Sequence, residues 1–374
     1  MKYPQLGPQV LDFVSLGMVV LDEIRTPGWP PLTDVVGGSG AFATLGARLF
    51  NSGIPVSKVQ PGGLSRLTWP SKNVGCMVRA GHDFPEHVLQ ELDKGLLEYQ
   101  DNTFGPKTFT YTTEPLKTKP IDLIDTPLLK AKIFHFLATP DEIMQLVPQL
   151  REARRKYYSS RDAIVIWEPL PDSCTEDMME HVLLACELVQ IFSPNHIEAG
   201  NLFGYTGGFE KERIETYAKR FVSCIGIDNE DTRGIVVIRY AEHGSLTVDL
   251  ACRIPQQTIR QKVWLPPFYP SESPKVVEAT GAGNAFLGGF AVGLIESREC
   301  RTASVYDHIA ASFAVEQIGL PRLELQIGDD GETRPETWNG VGGRGRLADY
   351  EESFVDDDHQ FNWCRNNCVP PERG

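Results

Sequence analysis

Long apolar runs are missing from this sequence. No stretch reaches the roughly 18 uninterrupted apolar residues that suggest a transmembrane helix, and the first apolar run, Val10 to Leu21, is broken by Asp12. We therefore expect neither a membrane anchor nor a secretory signal. The run from Asp12 to Leu21 is instead typical of a buried strand.

Basic residues are scarce relative to acidic ones. The 374 residues include 36 Lys and Arg against 50 Asp and Glu, which gives a formal net charge of −14. Such a chain repels the phosphate backbone of nucleic acids, so we expect no nucleic-acid partner. A small anionic ligand is still compatible with this charge, because backbone N–H groups can hold a phosphate.

Paired cysteines are nearly absent. The sequence contains eight cysteines, and all are scattered singly except Cys364 and Cys368, which have no second pair to complete a zinc site. A disulfide framework is not expected in a long chain of this kind. We therefore expect reduced thiols and a cytoplasmic location.

What the sequence does have is a regular alternation of strand-like and helical patterns through its first 320 residues. This cadence predicts an α/β fold with a mostly parallel sheet covered by helices on both faces. The predicted strands are Asp12–Leu21, Lys132–Leu137, Ala163–Trp167, Leu188–Phe192, Gly234–Arg239 and Ser245–Asp249. The predicted helices are Ser39–Phe50, Glu86–Glu98, Glu142–Tyr157, Glu176–Cys186, Lys211–Cys224, Gly283–Glu296 and Ala303–Ile318.

Two polar regions interrupt or follow this pattern. Residues 57–72 are rich in Gly, Pro and Ser and predict a loop or insertion. The chain after Leu320 becomes polar and Gly-rich. We therefore predict one large domain over residues 1–325 and a polar, partly irregular tail over residues 326–374.

The most specific motif runs from Glu278 to Phe290, with the sequence EATGAGNAFLGGF, and opens an apolar helix. Gly281 and Gly283 allow backbone N–H groups to converge without obstruction by a Cβ atom. The amino end of the helix adds partial positive charge. Gly281, Ala282 and Gly283 therefore predict an anion hole suited to a transferring phosphoryl group.

This segment resembles the C-terminal signature of the ribokinase (pfkB) superfamily, whose usual form is Asp-Thr-x-Gly-Ala-Gly-Asp-x-Phe. Thr280 and Phe286 match the pattern together with residues 281–283. The resemblance implies a three-layer ribokinase-like fold with a small β lid. It also implies ATP and Mg²⁺ as cofactors, phosphoryl transfer to a hydroxyl of a small polyol, and a homodimer.

Two further segments resemble the nucleotide side of this superfamily. Asn195 and Glu198 match its Asn-x-x-Glu motif, which implies that Glu198 acts on Mg²⁺ through water and that Asn195 belongs to the same phosphate-side network. An ordinary helix cap is the alternative interpretation. Gly244 lies in a segment similar to the strand-turn-strand unit that walls the nucleotide pocket, although Arg239 stands where the family has Thr or Ser.

The substrate side resembles the family near the amino terminus. Asp22 ends an apolar run as the family's substrate-binding Asp does, and Gly37 and Gly38 resemble its Gly-Gly motif. An ionised carboxylate can accept two hydrogen bonds from sugar hydroxyls. A turn-capping role for Asp22 is the alternative. The segment Arg79–Phe84 is similar to the stretch that follows in the family.

The sequence departs from the family pattern at the position of the general base and in the substrate motif. Asn284 stands where the family has the Asp that acts as general base, and an amide cannot accept a proton at neutral pH. Phe42 replaces an Asn of the substrate motif, and Glu278 is too far along a tight turn to be a good replacement base. These features, together with a motif at residues 336–340, resemble the fungal maintenance-of-killer-like branch of the superfamily.

Three functions therefore remain open from the sequence. The first is an ATP- and Mg²⁺-dependent phosphotransferase that acts on a small polyol. The second is a nucleotide-binding pseudokinase or scaffold, which Asn284 and Phe42 favour. The third is a hydrolase, since Gly37-x-Ser39-x-Ala41 approaches a nucleophile elbow, but the last Gly of that motif is absent.

Overall fold

Strands and helices alternate along most of the chain. The computed structural model describes residues 11–50, 74–77, 93–99, 107–111, 117–158, 163–208, 210–226, 233–253, 256–270, 272–324 and 336–352. The strands are β1 (Phe13–Ser15), β2 (Val20–Arg25), β3 (Leu32–Gly37), β4 (Val74–Cys76), β5 (Asp93–Tyr99), β6 (Lys107–Tyr111), β7 (Ile133–Ala138), β8 (Ile164–Pro169), β9 (Ile191–Phe192), β10 (Arg233–Arg239), β11 (Ser245–Arg253), β12 (Gln256–Leu265), β13 (Leu323–Glu324) and β14 (Thr337–Trp338). The α-helices are α1 (Ser39–Arg48), α2 (Pro140–Tyr157), α3 (Met179–Cys186), α4 (His196–Leu202), α5 (Lys211–Val222), α6 (Ala282–Ser297), α7 (Cys300–Ala314) and α8 (Gly343–Glu352).

The large sheet has eight strands in the order β12-β11-β10-β9-β8-β7-β1-β4. Neighbours from β4 to β10 pair in parallel, whereas β10-β11 and β11-β12 pair antiparallel. The chain runs from β1 to β4 on one side and from β7 to β10 on the other, so the strand order reverses between β1 and β7. Open α/β sheets bind ligands at such a point, beyond the carboxyl ends of the strands.

Two hydrophobic clusters cover the two faces of this sheet. One cluster includes Val147 of α2 and Phe221 of α5, and the other includes Phe42 of α1, Phe290 of α6 and Phe313 of α7. The strands between them are apolar on both sides, as expected for a parallel sheet buried between helices. The predicted α/β fold, with helices on both faces of a mostly parallel sheet, is confirmed.

Helices α1 and α6 pack unusually closely on one face. A Cβ atom added to Gly46 would overlap the carbonyl oxygen of Ala285, and one added to Gly288 would overlap the carbonyl oxygen of Ala43. Small residues at these crossings let the two helix backbones approach. The packing brings the start of α6 against α1.

A second sheet of four strands has the order β3-β2-β5-β6, and it supplies the small β element that we expected. It also corrects the prediction of one strand over Asp12–Leu21. That run forms β1 in the large sheet and β2 in the small one, because the chain turns at Gly17, whose amide donates to Ser15 Oγ at 3.1 Å.

The predicted helix Glu86–Glu98 is wrong where it is described. Residues 93–99 form β5, which pairs in parallel with β2 and antiparallel with β6. Pairing with two strands has overridden the local helical pattern, as is common for strands. The loop predicted at residues 57–72 and the segment Arg79–Phe84 lie outside the described residues.

Part of the chain beyond residue 325 is regular. Residues 336–352 of the tail that we predicted to be partly irregular contain β14 and α8. Arg346 donates to Ser312 Oγ at 3.0 Å, and Arg48 pairs with Glu336 at 2.8 Å. These contacts tie the segment to α7 and α1. None of the described helices is long and apolar enough to cross a membrane.

Candidate functional site

The predicted anion hole lies at the start of α6, in a turn that the protein itself holds. Gly281 is the N-cap residue with φ 77°, a left-handed conformation that favours glycine. A Cβ atom at this position would also overlap the ring of Phe42. The Thr280 amide donates to Glu278 Oε1 at 2.7 Å, so the carboxylate that we judged a poor replacement base stabilises the turn.

The amides of this turn are not equivalent. The Ala282 amide donates to the Ala279 carbonyl at 3.2 Å, so it already has an acceptor. Among the described residues, no backbone or side-chain acceptor meets the amides of Gly283 and Asn284. They belong to the first turn of a helix, where N–H groups lack a partner within the helix. Gly283 and Asn284 thus present the available donors.

Glu168 is the centre of a buried polar network beside this turn. It lies near the carboxyl end of β8 and is 5% exposed. Its Oε2 accepts from Asn284 Nδ2 at 2.6 Å and lies 3.2 Å from His135 Nε2, while its Oε1 accepts from Arg239 Nη1 at 2.5 Å. The residue at the expected base position is therefore hydrogen-bonded to a carboxylate.

The network continues to the point where the strand order reverses. His135 Nδ1 of β7 lies 3.0 Å from Ser15 Oγ of β1. Ser15 and His135 are both fully buried. The order Ser15, His135, Glu168 resembles a nucleophile, a base and an orienting acid, but a hydroxyl with no exposed surface cannot reach a substrate. We conclude that these three residues stabilise the site.

Ionisation of Glu168 is set by its neighbours. Burial would raise the pKa of Glu168, but the charge of Arg239 and the hydrogen bond with His135 lower it to about 2. The carboxylate is therefore ionised at every physiological pH. Such a group accepts hydrogen bonds well and accepts protons poorly.

Arg239 joins this network to the start of α4. It is the last residue of β10, and its Nη2 donates to the Ser193 carbonyl at 3.0 Å and lies 3.5 Å from Glu198 Oε2. Its Nη1 lies so close to Gly283 that a Cβ atom there would overlap it. The guanidinium thus lies against the first turn of α6.

Asn195 and Glu198 form a complete helix cap. The Asn195 amide and Nδ2 donate to the two carboxylate oxygens of Glu198 at 2.7 and 2.6 Å, and the Glu198 amide donates to Asn195 Oδ1 at 2.8 Å. Glu198 is 5% exposed, and burial raises its pKa to about 7 in spite of Arg239. The capping interpretation therefore describes this pair.

This arrangement does not fit the Mg²⁺ role that the resemblance implied for Glu198. Mg²⁺ in proteins keeps several waters and binds ionised carboxylates. Both oxygens of Glu198 are engaged by Asn195, and the cation that faces them is Arg239. Among the residues that the structure describes, no group of three or more His, Cys, Asp or Glu side chains could hold a metal ion.

The predicted substrate residues come together at the second sheet. Asp22 of β2 is buried, and a Cβ atom on Gly37 at the end of β3 would overlap its Oδ2. Gly38 follows as the N-cap residue of α1, with φ 89°. Ser39 is 7% exposed, which disfavours it as a nucleophile.

Two predicted residues mark the borders of the site. Phe42, on the first turn of α1, packs on Gly281 and so links the substrate half to the phosphate half. Gly244 adopts φ 86° in the turn between β10 and β11, where its carbonyl accepts from the Tyr240 amide at 2.7 Å. Gly244 therefore lies just beyond Arg239 along the chain.

Sequence reasoning missed Ser15, His135 and Glu168. Each is a polar residue within or at the end of a short apolar strand, as in Phe134-His135-Phe136. A polar side chain in such a run must find a buried partner. That signal was present in the sequence, but the partners could only be identified from the strand order.

Comparisons with known proteins agree with this geometry. Residues 86–323 match the model of the pfkB family carbohydrate kinases. An uncharacterized protein of Schizosaccharomyces pombe is 30% identical over 378 residues, covering 94% of this chain and 95% of that protein. Protein MAK32 of Saccharomyces cerevisiae is 28% identical over 364 residues, covering 90% of this chain and 91% of that protein.

Solved structures share the fold of this chain. The ribokinase of Giardia lamblia superimposes with a TM-score of 0.54 at 14% identity, covering 92% of this chain and 100% of that chain. The predicted ribokinase-like fold and the predicted resemblance to the fungal branch are both confirmed. The chain therefore belongs to the pfkB family of carbohydrate kinases.

Proposed function

We propose that this chain binds the terminal phosphates of ATP at the start of α6 and that its transfer of phosphate to a small polyol is impaired. Family membership supports a kinase-like site. The left-handed Gly281 and the available amides of Gly283 and Asn284 support phosphate binding there. Of the functions left open by the sequence, the nucleotide-binding pseudokinase is the one that the geometry favours.

One observation carries this proposal. Asn284 Nδ2 donates to Glu168 Oε2 at 2.6 Å, so the amide is fixed as a donor and offers no basic atom to an acceptor hydroxyl. Glu168 cannot replace the missing base, because its pKa is lowered to about 2. Loss of a positioned base slows a reaction by about 10²- to 10⁴-fold.

Asp22 supports a polyhydroxylated ligand in the acceptor half. Asp22 and Gly37 lie side by side, and a carboxylate can accept hydrogen bonds from the neighbouring hydroxyls of a polyol. Phe42, 2% exposed, packs an apolar ring against Gly281 of the anion hole. An apolar wall there disfavours a hydroxyl placed for phosphorylation.

The test measures binding and turnover on the same preparation. We expect calorimetry to detect ATP binding and a coupled assay to detect little ADP release with sugars, polyols or nucleosides as acceptors. Robust acceptor-dependent ADP release would contradict the impaired-transfer proposal. Absence of ATP binding under all conditions would contradict the nucleotide-site proposal.

A pair of glycine variants locates the binding site. In Gly283→Ala, the new methyl group overlaps Arg239 Nη1 and crowds the available amides, so we expect ATP binding to be lost. Gly208→Ala is the matched control, because nothing lies within 4 Å of its added Cβ atom. Equal ATP affinity in both variants would place the nucleotide elsewhere.

A further inference from the structure

Arg239 occupies the position between the two carboxylates of the phosphate-side network. Its guanidinium bonds Glu168 Oε1 at 2.5 Å, lies 3.5 Å from Glu198 Oε2 and contacts Gly283 of α6. Its side chain is 12% exposed. A fixed positive charge therefore lies at the edge of the first turn of α6, beside the available amides.

A hydrated divalent cation would compete with this guanidinium. The two oxygens of Glu198 already accept from Asn195, and any cation placed on them would lie next to Arg239. Like charges at such short range repel strongly in a buried site. The residues that the resemblance assigned to Mg²⁺ are thus committed to a helix cap and an ion pair.

We propose that Arg239 supplies the positive charge that a divalent cation would otherwise supply, so that this chain binds nucleotide phosphates without a divalent cation. The proposal rests on the nucleotide site proposed above and identifies the Arg239 guanidinium as the positive group of that site. A guanidinium can bond two phosphate oxygens at once and stays charged at every physiological pH. It differs from Mg²⁺ because it cannot be removed by a chelator.

The charge of the surrounding groups is compatible with an added phosphate. Glu168 is ionised and balances Arg239. Glu198 Oε2 lies 3.5 Å from the same guanidinium. His135 contacts the far side of Glu168. Arg239 therefore offsets part of the negative charge of the two carboxylates that it faces.

Calorimetry on the unmodified chain is the principal test. ATP is titrated once in excess EDTA and once in excess Mg²⁺. We expect the two dissociation constants to agree within about threefold, which is less than the tenfold change that 1.4 kcal/mol would produce. Binding that is more than about tenfold tighter with Mg²⁺, or that occurs only with Mg²⁺, would overturn this inference and leave the nucleotide site intact. Absence of binding in both titrations would overturn the nucleotide site itself.

A variant tests the residue directly. Arg239→Gln should lose more than about tenfold in ATP affinity in EDTA, and the double variant Arg239→Gln/Glu168→Gln removes the unpaired buried charge that could prevent folding. Arg213→Gln is the control, since Arg213 forms an exposed pair with Glu210. Circular dichroism confirms that each variant folds. An unchanged affinity in a folded Arg239 variant would contradict the proposal.

Discussion

The Glu168 carboxylate contacts the side chains of Asn284, Arg239 and His135 within 3.2 Å. Those contacts keep it ionised and fix the Asn284 amide as a donor. The position that the family uses for a base has become part of a structural network. The sequence alone shows that Asn284 replaces the Asp expected at this position. Only the structure shows that its side-chain amide has a hydrogen-bond partner there, the Glu168 carboxylate.

Restoring an acid at position 284 should destabilise the protein. Asn284→Asp places a second carboxylate within hydrogen-bond distance of Glu168, and two such groups cannot both ionise at low cost. The folded state then holds a proton that the unfolded chain releases, so the loss grows as the pH rises. We expect the free energy of unfolding to fall by ~2 kcal/mol at pH 8 and by less at pH 5.

Urea unfolding at the two pH values measures this effect. Asn284→Ala is the control, because it removes the hydrogen bond without adding charge and should lose a similar amount at both pH values. An Asn284→Asp variant as stable as the unmodified chain at pH 8 would show that the side chain does not face Glu168.

Removal of the Glu168 charge should lower the free energy of unfolding by more than Asn284→Asp does. Glu168→Gln removes the closer of the two buried carboxylates that face Arg239, and breaking a buried pair costs about 3–5 kcal/mol. Glu210→Gln removes the acid of an exposed pair with Arg213 and should cost less than about 1 kcal/mol. Chemical denaturation of both variants provides the comparison, and equal losses would contradict the central position given to Glu168.

At the scale of elements, the contact between α1 and α6 positions the anion hole. Gly288→Ala adds a methyl group that would overlap the Ala43 carbonyl, and overpacking of this kind costs about 1–3 kcal/mol. Gly345→Ala in α8 has nothing within 4 Å of its added Cβ atom, so it should be neutral or stabilise by ~0.5 kcal/mol through helix propensity. Thermal unfolding of the two variants tests the contact, and similar melting temperatures would argue against it.

Elements with a strong local pattern were predictable, and those set by long-range pairing were not. Helix α6 and strands β7, β8 and β10 lie close to their predicted bounds, because apolar periodicity and glycine signals are local. Residues 93–99 form a strand through pairing with β2 and β6. The break between β1 and β2 follows from a turn that joins two sheets, which a continuous apolar run does not reveal.

In the candidate site as well, residues in local motifs were predictable and contacts between distant parts of the chain were not. The glycine turn, Asp22 and Asn195 were found from motifs whose spacing is local. The environment of Glu198 was not predictable, because Arg239 reaches it from a strand 41 residues further along the chain. Contacts of that kind depend on strand order, and they decide whether a carboxylate faces a metal or a guanidinium.

At the scale of the whole molecule, buried carboxyl groups set the pH dependence of stability. Burial raises the pKa of Glu198 from 4.5 to about 7, and Glu198 faces Arg239 and Glu168. The stability from its protonated form is present below pH 4.5 and is lost as the pH rises through 7. Relative to Glu198→Gln, the unmodified chain should lose on the order of 3 kcal/mol between these pH values.

Unfolding curves of the two proteins across this pH range test the assignment. Glu168 acts in the opposite sense, because its lowered pKa gives stability that is lost only as the pH falls below about 4.5. A stability difference between the unmodified chain and Glu198→Gln that does not change with pH would contradict a raised pKa for the buried Glu198 carboxyl group.

The most direct measurement is a crystal structure of the chain bound to a non-hydrolysable ATP analogue. The account predicts that the terminal phosphate lies within hydrogen-bond distance of the main-chain nitrogens of residues 283 and 284, with the Arg239 guanidinium alongside. A terminal phosphate bound at any other place, with those nitrogens turned toward protein groups, would contradict it.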